Sequence, residues 1–289
     1  MKIRIGISLG GCSFGAAVDR LEASGVDSLW LSEMVYGPLV DPLVGMAYAL
    51  SRTERLKVGT GVMVLPGRHP VLVAKQIASL AALAPGRVLP VFGLKPARAA
   101  ELPLFAVPAG CRAAVFDESL ELLRLLLRQE TVSFAGEFFT VQAASVGSPP
   151  VKAIDIWLGG SAPGALRRVG RLGDGWLGSF ITPGEARSGV QAIQEAAAEA
   201  GRAVEPDHFG VSLAVGPGGI PPELAEAARS RRPGVDPAAL CAGNWGDARR
   251  LIGDYVAAGL SKFVIRPAGW EDIRRFIDEF VAEMMPLQT

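Results

Sequence analysis

IDIWLGGSAPGALRRVGRLGDGWLG, residues 154–178, is the stretch on which the reading of the fold turns. Its opening, Ile154-Asp155-Ile156-Trp157-Leu158, has the length and apolar content of a strand. Gly159 and Gly160 follow, then Ser161, a good N-cap for a helix carrying Ala165, Leu166, Val169 and Leu172 at helical spacing. Pro163 suits the first helical turn, where its missing N–H costs nothing. Gly173-Asp174-Gly175-Trp176-Leu177 then turns directly into another strand. A strand that runs through two glycines into a helix N-terminus gathers several backbone N–H groups in one small volume, and the helix dipole favours an anion there. The same residues also make a tight turn that binds nothing; the place of the turn in the fold decides between the two.

Strand and helix patterns alternate on both sides of this unit. Upstream, strands are predicted at residues 3–8 (IRIGIS), 28–31 (SLWL), 56–63 (LKVGTGVM) and 87–92 (RVLPVF), with Pro90 a blemish for a central strand. Helices are predicted at 13–23, from Asp41-Pro42 to Leu50, at 71–83 and at 113–128. Downstream come strands at 175–177, 209–215 and 262–266 (KFVIR), and helices at 183–200, 222–230, 246–258 and 270–284. Eight short strands alternating with amphipathic helices in 289 residues predict an α/β fold, a (β/α)8 barrel, as one domain over residues 1–289. A doubly wound open sheet is the rival, but Ser8-Leu9-Gly10-Gly11-Cys12-Ser13 after the first strand lacks its Gly-x-Gly-x-x-Gly. Residues 94–112 (LKPARAAELPLFAVPAGCR) follow strand four, and 217–244, rich in Pro, Gly and Ala, follow strand seven. Both fall at the C-terminal ends of strands, where this fold carries its active sites, and are predicted to be lids. Residues 131–141 (TVSFAGEFFTV) read as a hairpin ahead of strand five, on the opposite face, with a structural or dimer-forming role.

Composition narrows the function. Lys plus Arg and Asp plus Glu number 29 each, so no basic field attracts nucleic acid or an anionic membrane surface. Cys12, Cys111 and Cys241 are far apart with no Cys-x-x-Cys, which argues for free thiols in a reducing compartment. The N-terminus carries no signal-peptide pattern and no apolar run is long enough to span a bilayer, so a cytoplasmic protein is expected. No Asp/Glu/His cluster has metal-ligand spacing and no Ser sits in a nucleophile elbow, so no metal is expected.

Few residues carry proton chemistry. His69 follows strand three on the active-site face beside Arg68; it is either an acid/base or a helix-entry residue ahead of Pro70. His208, at the entrance to strand seven, reads as structural. Glu33, after strand two, is either a general acid/base or a solvated loop carboxylate. Lys95 and Arg98 could meet an anion or be solvated, and Arg112 with Glu118 reads as a structural ion pair.

Several motifs fall in order along nearly the whole chain. They are Val58-Gly59-Thr60-Gly61-Val62 leading to Leu65-Pro66-Gly67-Arg68-His69-Pro70, then Ala74-Lys75-Gln76 and Pro85-Gly86-Arg87. Phe116-Asp117-Glu118, Gly136-Glu137-Phe138-Phe139, Trp157-Leu158-Gly159-Gly160 with Gly173-Asp174-Gly175-Trp176, and Ala258-Gly259-Leu260 continue the series. Together they resemble the luciferase-like flavin and deazaflavin oxidoreductases of the bacterial luciferase-like monooxygenase superfamily. In detail they look like the actinobacterial branch assigned to coenzyme F-420. The resemblance implies a barrel with the cofactor across its C-terminal mouth, a homodimer, and hydride transfer between the deazaflavin and a small organic substrate. FMN in a two-component monooxygenase is the alternative, and a flavin-binding protein without turnover a third reading. An isomerase or aldolase on the same barrel ranks last.

Residue by residue, the resemblance implies a non-proline cis peptide at Gly61-Val62, with Val62 behind the cofactor ring. It makes Gly159, Gly160 and Ser161 the phosphate-binding turn and sets Glu33 near the ring edge. Two positions depart from the pattern: many relatives have an acidic residue followed by His where this chain has Glu33-Met34. The Gly-x-Gly run after strand four is here Phe92-Gly93-Leu94-Lys95, so only Gly93 remains to back the cofactor.

Overall fold

The computed structural model describes residues 2–11 and 13–289, so the expectation for Cys12 lies outside the described residues. Strand one is β1 (Arg4–Ser8) and strand two β2 (Ser28–Leu31). Strand three is broken into β3 (Lys57–Thr60) and β4 (Met63–Val64), and strand four into β5 (Val88–Leu89) and β6 (Val91–Gly93). β7 (Val132–Ala135) and β8 (Thr140–Ala144) form a separate antiparallel hairpin. Strands five to eight are β9 (Trp157–Gly159), β10 (Gly175–Ser179), β11 (Phe209–Val215) and β12 (Lys262–Pro267). β3 pairs in parallel with β2 and β5, β4 with β6, and β6 with β9; from β9 the ladder runs through β10, β11 and β12 back to β1 and β2. Taking β3 with β4 and β5 with β6, each of strands one to eight therefore has two parallel neighbours, and the sheet closes into the (β/α)8 barrel that the alternation predicts.

The helices are α1 (Phe14–Ala23), α2 (Pro42–Arg52), α3 (Pro70–Leu83), α4 (Arg112–Leu126), α5 (Pro163–Leu172), α6 (Pro183–Glu199), α7 (Pro222–Arg231), α8 (Trp245–Ala257) and α9 (Ile273–Met284). Their starts are written in the sequence: Asp41 accepts the N–H groups of Leu43 and Val44, Thr182 and Glu185 form a capping box, and Asn244 and Asp272 cap α8 and α9. Asp272 also explains why the last helix starts after residue 272 instead of at Trp270.

Strand alternation sorts the two sides of the barrel wall. Ile5, Ile7, Leu29, Leu31, Phe209, Val211, Phe263 and Ile265 point outward into the core beneath the helices. Trp30, Val91, Leu177 and Val264, from strands two, four, six and eight, meet inside as one layer of the barrel filling. Glycines on neighbouring strands make room for large fillers: a Cβ at Gly6 would lie 2.6 Å from Trp30 Nε1, and one at Gly175 would lie 2.3 Å from the Trp157 ring. Below this layer, Asp27 pairs with Lys57 at 2.8 Å and with the buried Lys262.

Three expectations need correction. Strand five begins at Trp157, not Ile154, because the Ile156 N–H is taken by Asp174 Oδ2 at 2.9 Å instead of a ladder partner. Arg112 and Glu118 do not pair: Arg112 Nη2 donates to the Phe105 carbonyl at 2.7 Å, while the Glu118 carboxylate accepts the N–H groups of Glu137, Phe138 and Phe139 at 2.9, 2.9 and 2.7 Å. That carboxylate draws the hairpin turn up along the outside of α4, where Phe139 meets the His69 ring edge-on at 5.4 Å. The hairpin tip thus lies by the N-terminus of α3, toward the mouth, and not at the opposite face.

Pro90 breaks strand four as the sequence suggests. The Thr60 hydroxyl covers the gap, donating to the Val91 carbonyl at 2.7 Å and accepting the Val91 N–H at 2.8 Å. No described helix is long and apolar enough to cross a membrane.

Candidate functional site at the barrel mouth

The site begins where strand three is interrupted. The Gly61–Val62 peptide bond is cis, and the end of strand two holds both of its residues. Gly61 N–H donates to the Leu31 carbonyl at 2.7 Å, Ser32 Oγ donates to the Gly61 carbonyl at 3.0 Å, and Glu33 N–H donates to the Val62 carbonyl at 3.2 Å. Val62 stands half-buried between Gly93 and Gly159. A Cβ at Gly93 would lie 2.6 Å from Val62 Cγ2, and one at Gly159 would lie 2.9 Å from Val62 Cγ1. Only glycine on both flanks lets this apolar side chain stand clear at the mouth of strands three, four and five.

The strand-five turn lies beside it. Gly160 has φ +104°, a left-handed conformation that suits glycine, and its carbonyl accepts the Trp176 indole N–H at 2.7 Å. Ser161 does not cap α5, because the helix opens on Pro163 and puts Ala162 at the N-cap, where no side chain caps the turn. Among the described residues the amides of Gly160, Ser161 and Ala162 have no backbone acceptor. A cavity of about 290 Å³ opens at this end of the helix, lined by Ser161, Ala162, Leu166, Trp176, Ile181, Glu185 and Arg232. Arg232 pairs with Glu185 and donates to the Phe180 carbonyl at 2.7 Å. Its hydrogen bonds hold the Glu185 carboxyl down at about 2.

Glu33 and His69 are not brought together. The Glu33 carboxylate is buried in the barrel wall, where it continues the ladder from strand two: Oε2 accepts the Val64 N–H at 2.8 Å. Arg68 donates to Oε1 at 2.7 Å and to Oε2 at 3.2 Å, and its guanidinium lies over the Phe105 ring. Burial raises the Glu33 carboxyl above its ordinary value, with the Val64 N–H and Arg68 opposing. His69 is exposed; its Nδ1 accepts the Val71 N–H at 3.3 Å as the N-cap of α3, and its ring faces Phe139 on the hairpin. His208 lies at the other end of the barrel, with Nδ1 2.8 Å from the Asp174 carbonyl.

The segments after strands four and seven both border the mouth. In the first, buried Glu101 accepts the Tyr36 N–H at 2.9 Å and Arg98 donates to the Tyr36 carbonyl, so it rests on the loop that follows strand two. The second folds α7 over a small core of its own that contains Leu224, Ala228, Leu240 and Cys241. Sequence reasoning passed over Arg68 as the partner of Glu33, and Glu101 and Arg232 altogether. Arg68 also donates to the Val64 carbonyl at 2.7 Å, but it is 35 residues from Glu33, so spacing gives no signal for that pair. For Glu101 and Arg232 the partners are 65 and 47 residues away, and spacing gives no signal.

The fold is thus a closed (β/α)8 barrel whose C-terminal mouth carries an uncapped glycine turn at strand five beside an apolar residue standing between two glycines. The chain belongs to the luciferase-like monooxygenase family, whose sequence profile matches residues 13–277. It is 34% identical over 165 residues to an uncharacterized protein of Mycobacterium tuberculosis (strain ATCC 25618 / H37Rv), covering 57% of each chain. It is 30% identical over 166 residues to a coenzyme F-420-dependent glucose-6-phosphate dehydrogenase of Kineococcus radiotolerans, covering 55% of this chain and 49% of that one. The chain thus matches about half the length of these curated relatives. A solved structure of an F-420-dependent secondary alcohol dehydrogenase, in complex with an F-420–acetone adduct, superposes over 100% of both chains with a TM-score of 0.81 at 20% identity. At that identity the likeness speaks for the fold.

Proposed function

We propose that this protein is an oxidoreductase that binds coenzyme F-420 across the barrel mouth and exchanges a hydride between it and a small organic substrate. The observation that carries this reading is the pairing of Val62, flanked by Gly93 and Gly159, with the uncapped turn Gly159-Gly160-Ser161 on the adjacent strand. The residues fit the group: a flat ring can rest on a bare apolar side chain, and a phosphate can take the free amides and the positive end of α5. The named F-420 enzymes among its relatives support the same cofactor. When bound, the deazaflavin supplies the hydride acceptor and donor.

The chain's own residues then bind and orient. Val62 fixes the height of the ring, Ser32 and the Glu33 N–H hold Val62 in place, and Trp176 anchors the turn through the Gly160 carbonyl. In this reading Glu33 is a positioning residue, because Arg68 and the Val64 N–H occupy its carboxylate, and His69 is a helix cap. The segments 94–112 and 217–244 act as lids that keep water from the ring, a role that their place at the mouth supports. Glu33→Gln is expected to lower stability by about 1–3 kcal/mol, as Arg68 loses a charged partner, and to leave the shape of the pH–rate profile unchanged. Disappearance of one limb of that profile would restore Glu33 as the acid/base.

The test of the function is turnover. A panel of small alcohols, aldehydes and enones is scored by loss or recovery of the oxidised deazaflavin absorbance, with a parallel arm of FMN, a flavin reductase and oxygen. Bleaching in the first arm supports the proposal. Product only in the second moves the protein to oxygen chemistry, and stoichiometric cofactor binding with no product in either leaves a binding protein.

The same reading includes one domain, a cytoplasmic setting and a homodimer. Val35, Tyr36, Val44 and Tyr48 are exposed on α2 and the loop before it, an apolar surface that supports the dimer. Light scattering is expected to give twice the 30.3 kDa chain mass, and Val44→Glu to shift it toward the monomer; a wild-type monomer at all concentrations contradicts this part.

A further inference from the structure

Strand eight carries a cation with no ion-pair partner among the described residues. In β12, Lys262 and Val264 point into the barrel, Lys262 beneath the Trp30 ring and Val264 in the filling layer. Phe263 and Ile265 point outward. Arg266 is the next inward position, one level above Val264, opposite Ala214 on strand seven and at the mouth. Its neighbours on strands one and seven are small: Ser8, at the end of β1, and Ala214. Among the described residues Arg266 makes no ion pair, and the titratable groups that act on it are the buried Cys241 thiol and Arg231, not a carboxylate. Burial depresses its guanidinium, Cys241 opposes that, and the like charge of Arg231 adds to it. Arg231 lies over the Phe180 ring at 4.8 Å, just beyond the end of strand six. Of the carboxylates about the mouth, Glu33 pairs with Arg68 and Glu185 with Arg232, while Glu101 takes the Tyr36 N–H.

A half-buried guanidinium offers five donors in a planar fork and stays charged, so without a carboxylate partner it favours an added acceptor. An oxyanion with two oxygens meets that fork in a bidentate pair. The place excludes the cofactor tail, because the strand-five turn serves that anion and strand eight lies across the mouth from strand four.

We infer that Arg266, with Arg231 beside it, is the receptor for an oxyanion of the substrate, so that the protein acts on a small molecule bearing a carboxylate or a phosphate. This deepens the oxidoreductase reading and rests on it for the word substrate; the anion site stands on its own geometry. Carboxylate and phosphate share the chemistry, and the probes below separate them.

The experiment is calorimetric titration of the full chain with benzoate, with inorganic phosphate and with neutral benzyl alcohol, before and after saturation with F-420. Wild type is compared with Arg266→Gln, Arg266→Lys and Gly160→Asp. At least one anion is expected to bind wild type about tenfold or more tighter than Arg266→Gln, the loss expected for a charged bidentate contact. Arg266→Lys should recover part of the loss, and Gly160→Asp should retain the site. Benzoate alone assigns a carboxylate substrate and phosphate alone a phosphorylated one. Anion binding that survives in Arg266→Gln and vanishes in Gly160→Asp belongs to the strand-five turn and overturns the inference, as does no anion binding at all. F-420 affinity is read in the same samples and is expected to be unchanged in Arg266→Gln. If Arg266-dependent anion binding is present while F-420 does not bind, the anion site stands and the oxidoreductase reading falls.

Discussion

Gly160→Asp is expected to weaken F-420 binding by about a hundredfold or more. Gly160 has φ +104°, and a Cβ there would come within 3.0 Å of the Ala165 Cβ, so any side chain strains the turn. A left-handed non-glycine residue costs on the order of 1–3 kcal/mol. Aspartate adds a second effect: its carboxylate stands where the free amides and the α5 dipole would receive the phosphate. Two unit charges about 5 Å apart repel by about 3 kcal/mol at an effective dielectric constant of about 20, which is roughly a hundredfold in affinity. Gly160→Ala separates the two, because it carries the strain without the charge. Fluorescence titration of wild type and both variants is the measurement. Equal losses in the two variants would mean that no anion sits at the turn.

Lys262→Met is expected to be the most destabilising single change at the closed end of the barrel, by about 3–5 kcal/mol. Lys262 is buried, its Nζ pairs with Asp27, and it lies 5.5 Å from the Trp30 ring. Removing it leaves Asp27 with the Lys57 ammonium at 2.8 Å and the Ser28 hydroxyl at 2.9 Å. Burial by itself would raise the Asp27 carboxyl, but Lys262 and Lys57 override it and hold the group well below the usual carboxylate range. The folded value is depressed, so the stabilisation is fully present above the ordinary Asp value of about 4 and is lost as the pH falls below it. Asp27→Asn should therefore flatten the acid limb of the stability curve. The double variant Asp27→Asn/Lys262→Met should be more stable than the sum of the single losses, since it leaves only the partly exposed Lys57 without its carboxylate. Chemical denaturation across pH reads all three; additive losses and an unchanged acid limb would sink the pair as a stabilising element.

How much of this was legible depended on the range of the interaction. Strand alternation and helix caps are local, so β11 was read at 209–215 to the residue, and Asp41-Pro42 announced α2. The barrel followed from counting repeats. Strand five was misplaced by three residues because Ile154-Asp155-Ile156 is as apolar as a strand, while the group that takes the Ile156 N–H, Asp174, comes 18 residues later. The hairpin was put on the wrong side because its position is set by Glu118, whose bonds to the turn span 19 to 21 residues. At the site, the glycines were legible because each answers to a backbone requirement. The state of Glu33 was not, since nothing in its neighbourhood of sequence shows that Val64 and Arg68 would take its carboxylate. Arg266 lay in plain view in KFVIR; only the closed barrel makes it an inward cation without a partner.

A deazaflavin site at the mouth formed by Val62, Gly93 and the Gly159-Gly160-Ser161 turn requires that the apoprotein bind F-420 on its own. Paired titrations of the purified apoprotein with oxidised F-420 and with FMN test it most directly. The account predicts saturable 1:1 binding of F-420, tighter than that of FMN by about tenfold or more. Binding of FMN alone, or of neither, would contradict it.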